Sequence, residues 1–163
     1  MTNILIPTDF TAASLQLAEQ TVKAFDTRNA NIILFHAFEL PASEFDLLVP
    51  GRRKPYAELM TDEFRHACKQ FKSKYPQAVQ IISFRFMEGN SAPLFRNFVD
   101  ANEIDLIVCP DHYQYVPVHK LSADPRPLFR KSGIKVIREF SRPQKNVYSK
   151  TNEIIEPVFL AAN

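Results

Sequence analysis

The chain has 163 residues, 45% hydrophobic and 23% charged, which suits one globular core and is too short for two domains of ordinary size. This balance excludes wholesale disorder, and no apolar run approaches the roughly 20 residues of a membrane-spanning helix. The net charge of +2 says little about partners; residues 126–150 hold eight basic residues against one acid, Glu139, and read first as a solvated face.

The chain opens on Asn3-Ile4-Leu5-Ile6-Pro7, a short apolar run closed by proline, as in a strand buried on both faces. Asp9 or Thr11 can cap a following helix over residues 12–25, where Leu15, Ala18, Val22 and Phe25 recur at three and four. Ile32-Ile33-Leu34-Phe35 is a second buried strand, so the opening is strand, helix, strand with a right-handed crossover. Residues 38–55 contain three prolines and Gly51 and read as an irregular excursion. A helix is expected from Tyr56 to Tyr75, a strand near residues 78–85, a helix starting at Ser91 or Ala92, and a strand over residues 104–109. Beyond Pro110 two assignments compete. One ends a short helix from Leu128 to Ser132 at Gly133 and places the fifth strand at residues 134–138; the other runs the helix to Phe140 and moves that strand to residues 158–162. The expected domains are residues 1–140, an α/β unit, and residues 141–163, a carboxyl-terminal extension acting as an added strand or dimerisation arm.

The chemistry is bounded by what is scarce. Gly51, Gly89 and Gly133 are too far apart to wrap a phosphate, so neither a Walker A loop nor a dinucleotide fingerprint exists. Cys68 and Cys109 form no CxxC pair and read as small core residues of a reducing, cytoplasmic compartment, in keeping with the lack of a signal-peptide pattern. Neither Ser91 nor Ser122 lies in a nucleophile elbow, HEXXH is absent, and His36 reads as a satisfied interior or edge residue. Tyr113, Tyr115, His119 and Lys120 could stack on a base, or pack over the end of the sheet. In an open parallel sheet, ligands bind beyond the carboxyl ends of the strands. That rule directs attention to residues 7–11, 35–38 and 110–115. Asp9 stands there either as a hydrogen-bond acceptor for a ligand or as a cap.

Three stretches, Ile4-Leu5-Ile6-Pro7-Thr8-Asp9-Phe10-Thr11, Ile32-Ile33-Leu34-Phe35-His36-Ala37 and Gly89-Asn90 followed by Ile104-Asp105-Leu106-Ile107-Val108, resemble the universal stress protein family. The resemblance implies an α/β fold with an open five-stranded parallel sheet, order 3-2-1-4-5, helices on both faces, and frequent homodimers. It also implies regulatory, stress-associated roles rather than a settled reaction. In nucleotide-binding members the aspartate matched by Asp9 contacts adenine, and the turn near Ala37 and Phe38 lies by the base. A loop G-x-x-G-x9-G-[ST] holds the ribose and phosphates. Here its glycines fall on Pro110, Tyr113 and Ala123, and its Ser or Thr on Asp124. Side chains replace open backbone, and a carboxylate stands where phosphate would lie. The expectation is a non-catalytic regulatory or protein-interaction domain without ordinary ATP binding, with no cofactor and no metal. Asp9, Ala37 and Phe38 are the residues that would contact any nucleotide. The expected partners are a second copy and an unidentified protein, with nucleotide and nucleic acid not favoured and no membrane. The rival reading is an adenine-nucleotide sensor with a remodelled phosphate loop.

Overall fold

The two apolar runs near the start of the chain become neighbouring strands at the centre of a sheet. The computed structural model describes residues 1–25, 28–41, 43, 48 and 58–140. β1 (Thr2–Pro7) and β2 (Ala30–Phe38) pair in parallel from Thr2↔Ala30 to Pro7↔Phe35, joined through α1 (Ala12–Phe25). There follow α2 (Asp62–Lys74), β3 (Val79–Glu88), α3 (Ala92–Ala101), β4 (Leu106–Val108), β5 (Ser122–Ala123), α4 (Arg126–Arg130) and β6 (Val136–Ile137). The parallel sheet has the order β3-β2-β1-β4-β6, so the expected topology holds with β6 as its fifth member, inside residues 134–138. β5 was not anticipated; it runs antiparallel against the end of β2. The helix expected from Tyr56 to Tyr75 is corrected at its start: Thr61 is extended and caps α2, so no single helix runs through residues 60–61, while Tyr56 itself, the extension over residues 141–163 and the alternative strand at 158–162 lie outside the described residues.

The period-two geometry of a strand sends alternate side chains to opposite faces, and here both faces are covered. Ile4, Ile6, Ile32 and Leu34 meet α1 and α2 through Leu15, Val22, Phe64 and Phe71. Leu5, Ile33, Phe35 and Ile107 meet α3 and α4 through Phe95, Val99, Leu128 and Phe129. α2 starts at Thr61, whose hydroxyl accepts from the Phe64 amide at 3.2 Å, and carries Asp62 and Glu63 in its first turn, where a carboxylate suits the helix dipole. Glu19 of α1 ties the two helices of that layer. Its Oε1 accepts from Lys74 Nζ at 2.8 Å and from the Tyr75 hydroxyl at 2.6 Å. With the Lys74 bond the largest contribution, these partners lower its carboxyl to about 2.

Gly89 turns the chain from β3 into α3 at φ +110°, while its amide donates to the Phe38 carbonyl at 2.7 Å. A Cβ there would stand 2.8 Å from the Leu94 Cδ2, which can swing away because Leu94 is exposed. The backbone conformation is therefore the main cost. Gly89→Ala should lose about 1–2 kcal/mol, a melting-temperature drop of roughly 2–8 °C by differential scanning calorimetry.

Candidate functional site

At the carboxyl ends of the central strands the chain reverses direction twice, after β1 and after β4. Thr8 continues the ladder, its amide donating to the Phe35 carbonyl at 2.9 Å, and its hydroxyl meets that of Ser14 at 2.8 Å. Phe10 then adopts φ +61°, and Asp9 braces this turn: its Oδ1 accepts from the Thr11 amide at 3.0 Å and the Thr11 hydroxyl at 2.5 Å. Asp9 thus does the local work of a turn carboxylate ahead of α1. It also borders a cleft of about 440 Å³ between α1 and the loop after β4, with Ser14, Gln16, Gln20, His112 and Tyr113 among its walls. No lysine or arginine lines this cleft among the described residues.

The end of β2 is arranged differently. Ala37 pairs with Ala123 and Phe38 with Ser122, and the Glu39 amide donates to the Leu121 carbonyl at 2.7 Å. The His119 ring sets its edge against Phe38, with centroids 6.1 Å apart. Ala37 and Phe38 are consequently 1% and 0% exposed and present no side-chain surface to the cleft that Asp9 borders. Of the three residues named from the sequence, the structure leaves one, Asp9, facing open space.

His36 pins this arrangement. Its Nδ1 stands 2.6 Å from the Thr8 carbonyl, which can only accept, so Nδ1 carries the proton. In the neutral ring Nε2 then accepts from the Ser122 hydroxyl at 2.9 Å, and that oxygen in turn accepts from the His119 amide at 3.1 Å. Burial lowers the imidazole pKa below its ordinary value, against the opposing pull of the Thr8 carbonyl and the Asp9 charge. Ser122 and His36 stand at the separation of a nucleophile and its base. The ring, however, is 4% exposed and lies between Phe10 and Phe38, which closes the approach to its nitrogens.

The four positions where the resemblance calls for glycine and Ser or Thr are also occupied in definite ways. Pro110 is buried, and its carbonyl accepts from the Tyr113 amide at 2.9 Å. The Tyr113 ring packs against both core clusters, and desolvation followed by the Asp9 charge pushes its hydroxyl well above the usual phenol range. Ala123 is held in β5. Asp124 is gripped by Arg126, whose Nη2 and Nε donate to it at 2.6 and 3.0 Å. Burial alone would raise the Asp124 carboxyl; the Arg126 bonds outweigh it and hold the group below its ordinary value. The Asp124 carboxylate that the sequence placed at this position is therefore paired with Arg126. Cys68 and Cys109 are buried, with their thiols pushed up to about 11 by burial, and among the described residues no cluster of ligating side chains could hold a metal. Sequence reasoning missed the contact between His36 and Ser122, which are 86 positions apart and share no motif. The Asp124–Arg126 pair was within reach, since the two lie two residues apart.

The sequence profile of the universal stress protein family matches residues 1–115. Among solved structures, the hypothetical protein PH0823 is 16% identical at a TM-score of 0.55, over 86% of this chain and 98% of that one. The hypothetical protein MJ0577 is 18% identical at 0.50, over 88% and 98%. A universal stress protein in complex with cAMP is 19% identical at 0.47, over 86% and 98%. No curated protein sequence matches the chain.

Proposed function

The chain belongs to the universal stress protein family, and on that premise we propose that it is a non-catalytic, stress-associated regulatory or protein-interaction domain that does not bind nucleotide in the family's manner. One observation carries the reading: Ser122 and Ala123 lie antiparallel on the end of β2, and Ala37 and Phe38 have almost no exposed surface where a base would rest. The buried ring of His36 and the raised thiols of Cys68 and Cys109 support a site without a nucleophile ready for chemistry. Assembly as a homodimer is part of the proposal, to be checked by light scattering at several micromolar chain.

A second reading, an adenine-nucleotide sensor, is favoured by the cleft of about 440 Å³ beside Asp9. Titration calorimetry with Mg-ATP and with AMP separates the two. The expected result is no binding tighter than about 0.1 mM, roughly 5.5 kcal/mol. A micromolar isotherm displaced by ADP and weakened by Asp9→Ala would establish the sensor instead.

A further inference from the structure

Residues 126–138 hold five cations, Arg126, Arg130, Lys131, Lys135 and Arg138, and no acid. As a sequence they read as a solvated face; the fold gathers three of them. Arg126 and Arg130 are four residues apart and share one face of α4. Alternate side chains of β6 part, Ile137 packing toward the α1 and α2 layer and Val136 toward α3 and α4, so Arg138 follows Val136 to the α4 side. The end of β4 is tied to β6 by the Cys109 amide on the Ile137 carbonyl and the Asp111 amide on the Arg138 carbonyl, each at 3.0 Å. The three arginines thereby line one concavity of about 60 Å³, with Cys109, Phe129 and Val136 as apolar walls.

Arg126 is held in place by Asp124, which takes its Nε and Nη2 and leaves Nη1 without a hydrogen bond to a described residue. Arg130 and Arg138 are exposed, and among the described residues their guanidinium groups have no ion pair. Arg126 and Arg130 both act on the Cys109 thiol: burial raises it, and these two charges pull it back against Asp124 and Asp111. Asp111 is the one acid in the lining, exposed and without an ion pair among the described residues. Three like charges around an apolar floor repel one another, and the two nearby acids leave them in surplus. Guanidinium forks match the oxygens of a phosphate. The volume is far below the roughly 300 Å³ at which ordinary small-molecule pockets begin, so the place suits one such group and not a whole nucleotide.

The geometry points to a site for a single phosphate group, free or at the end of a phosphomonoester, held by Arg126, Arg130 and Arg138. Of the positions matched to the family's phosphate loop, Pro110, Tyr113, Ala123 and Asp124, only Pro110 borders it. The site is therefore built from side chains on α4 and after β6 rather than from loop amides. Pro110 is also the only residue it shares with the cleft beside Asp9, where no cation stands among the described residues.

Backbone amide shifts by NMR, followed through a titration with inorganic phosphate at constant ionic strength, test it. Saturable shifts at Cys109, Asp111, Arg130 and Arg138 are expected, with a Kd of about 1 mM or tighter. Arg130→Gln with Arg138→Gln removes two exposed side chains and should weaken binding about tenfold or more. Asp111→Asn removes an opposing charge and should tighten it about two- to fivefold. O-phosphoserine distinguishes the sources: tighter binding than phosphate names a carried phosphate, weaker binding the free ion. The absence of saturable shifts up to about 10 mM phosphate would overturn the site, as would the same shifts with chloride, which would reveal screening alone. Binding unchanged in the double variant, or weakened in Asp111→Asn, would overturn it equally. A micromolar Mg-ATP isotherm weakened by Asp9→Ala would bear on the other cleft and leave these outcomes as they stand.

Discussion

Replacing His36 with alanine should lower stability by about 2–4 kcal/mol, the sum of a small cavity and two hydrogen-bonding groups deprived of their partner. The ring adds side-chain ties among three segments that backbone pairing already brings together: the Thr8 carbonyl after β1, β2 itself, and Ser122 of β5. The same geometry sets a pH dependence. His36 is held neutral in the fold, with its pKa depressed by burial, while in the unfolded chain it titrates near the ordinary value of about 6.5. The unfolded state therefore takes up protons first as pH falls. Stability from this group is complete above about pH 6.5 and declines below it, by at most about 1.4 kcal/mol per pH unit, until the folded pKa is reached. Urea unfolding at pH 7.5 and 5.5 should show the decline in the native chain. His36→Gln can still donate to Thr8 and accept from Ser122, so it should recover part of the lost stability and remove this component of the pH dependence. A native chain and His36→Gln with the same pH response would refute the assignment. Loss of the latch also releases the 119–123 segment from the end of β2, so His36→Ala is the variant in which nucleotide binding should be sought again.

Phe35→Ala should be among the most damaging truncations of a described residue, at about 3–5 kcal/mol. Phe35 is fully buried, with ring centroids 5.0 Å from Phe98, 5.4 Å from Phe95 and 6.0 Å from Phe129. Phe95 and Phe129 also meet each other, at 5.6 Å, so removing the central ring leaves its neighbours without contacts that they cannot regain by a small shift. Melting should fall by roughly 10 °C or more. Phe35→Leu keeps most of the volume and should lose about 1–2 kcal/mol. If Phe35→Ala cost no more than Phe35→Leu in urea titrations, α3 and α4 would have to close over the gap, and the rigid packing described for this face would be wrong.

The sequence by itself determined the sheet. Continuous apolar runs at residues 4–6 and 32–35, too short for helices and rich in β-branched residues, suit strands covered on both faces, and the helical spacing between them places α1 across the sheet. Their order and the approximate bounds of β1, α1, β2, β3, α3 and β4 follow from local pattern, because period and capping are properties of neighbouring residues. Asp9 was legible as a residue at a strand's carboxyl end for the same reason. What only the tertiary structure decided is the condition of that end: which side chains fill it, and whether Ala37 and Phe38 face a ligand or the protein. The segment 119–123 carries no helical or strand period long enough to read, and β5 is two residues long. It takes its extended form from the backbone groups of β2 that it pairs with and from the His36 ring beneath it. Hydrogen bonds between residues 86 positions apart leave no trace in local periodicity, so the closing of this site belongs to the packed chain and not to any stretch of it.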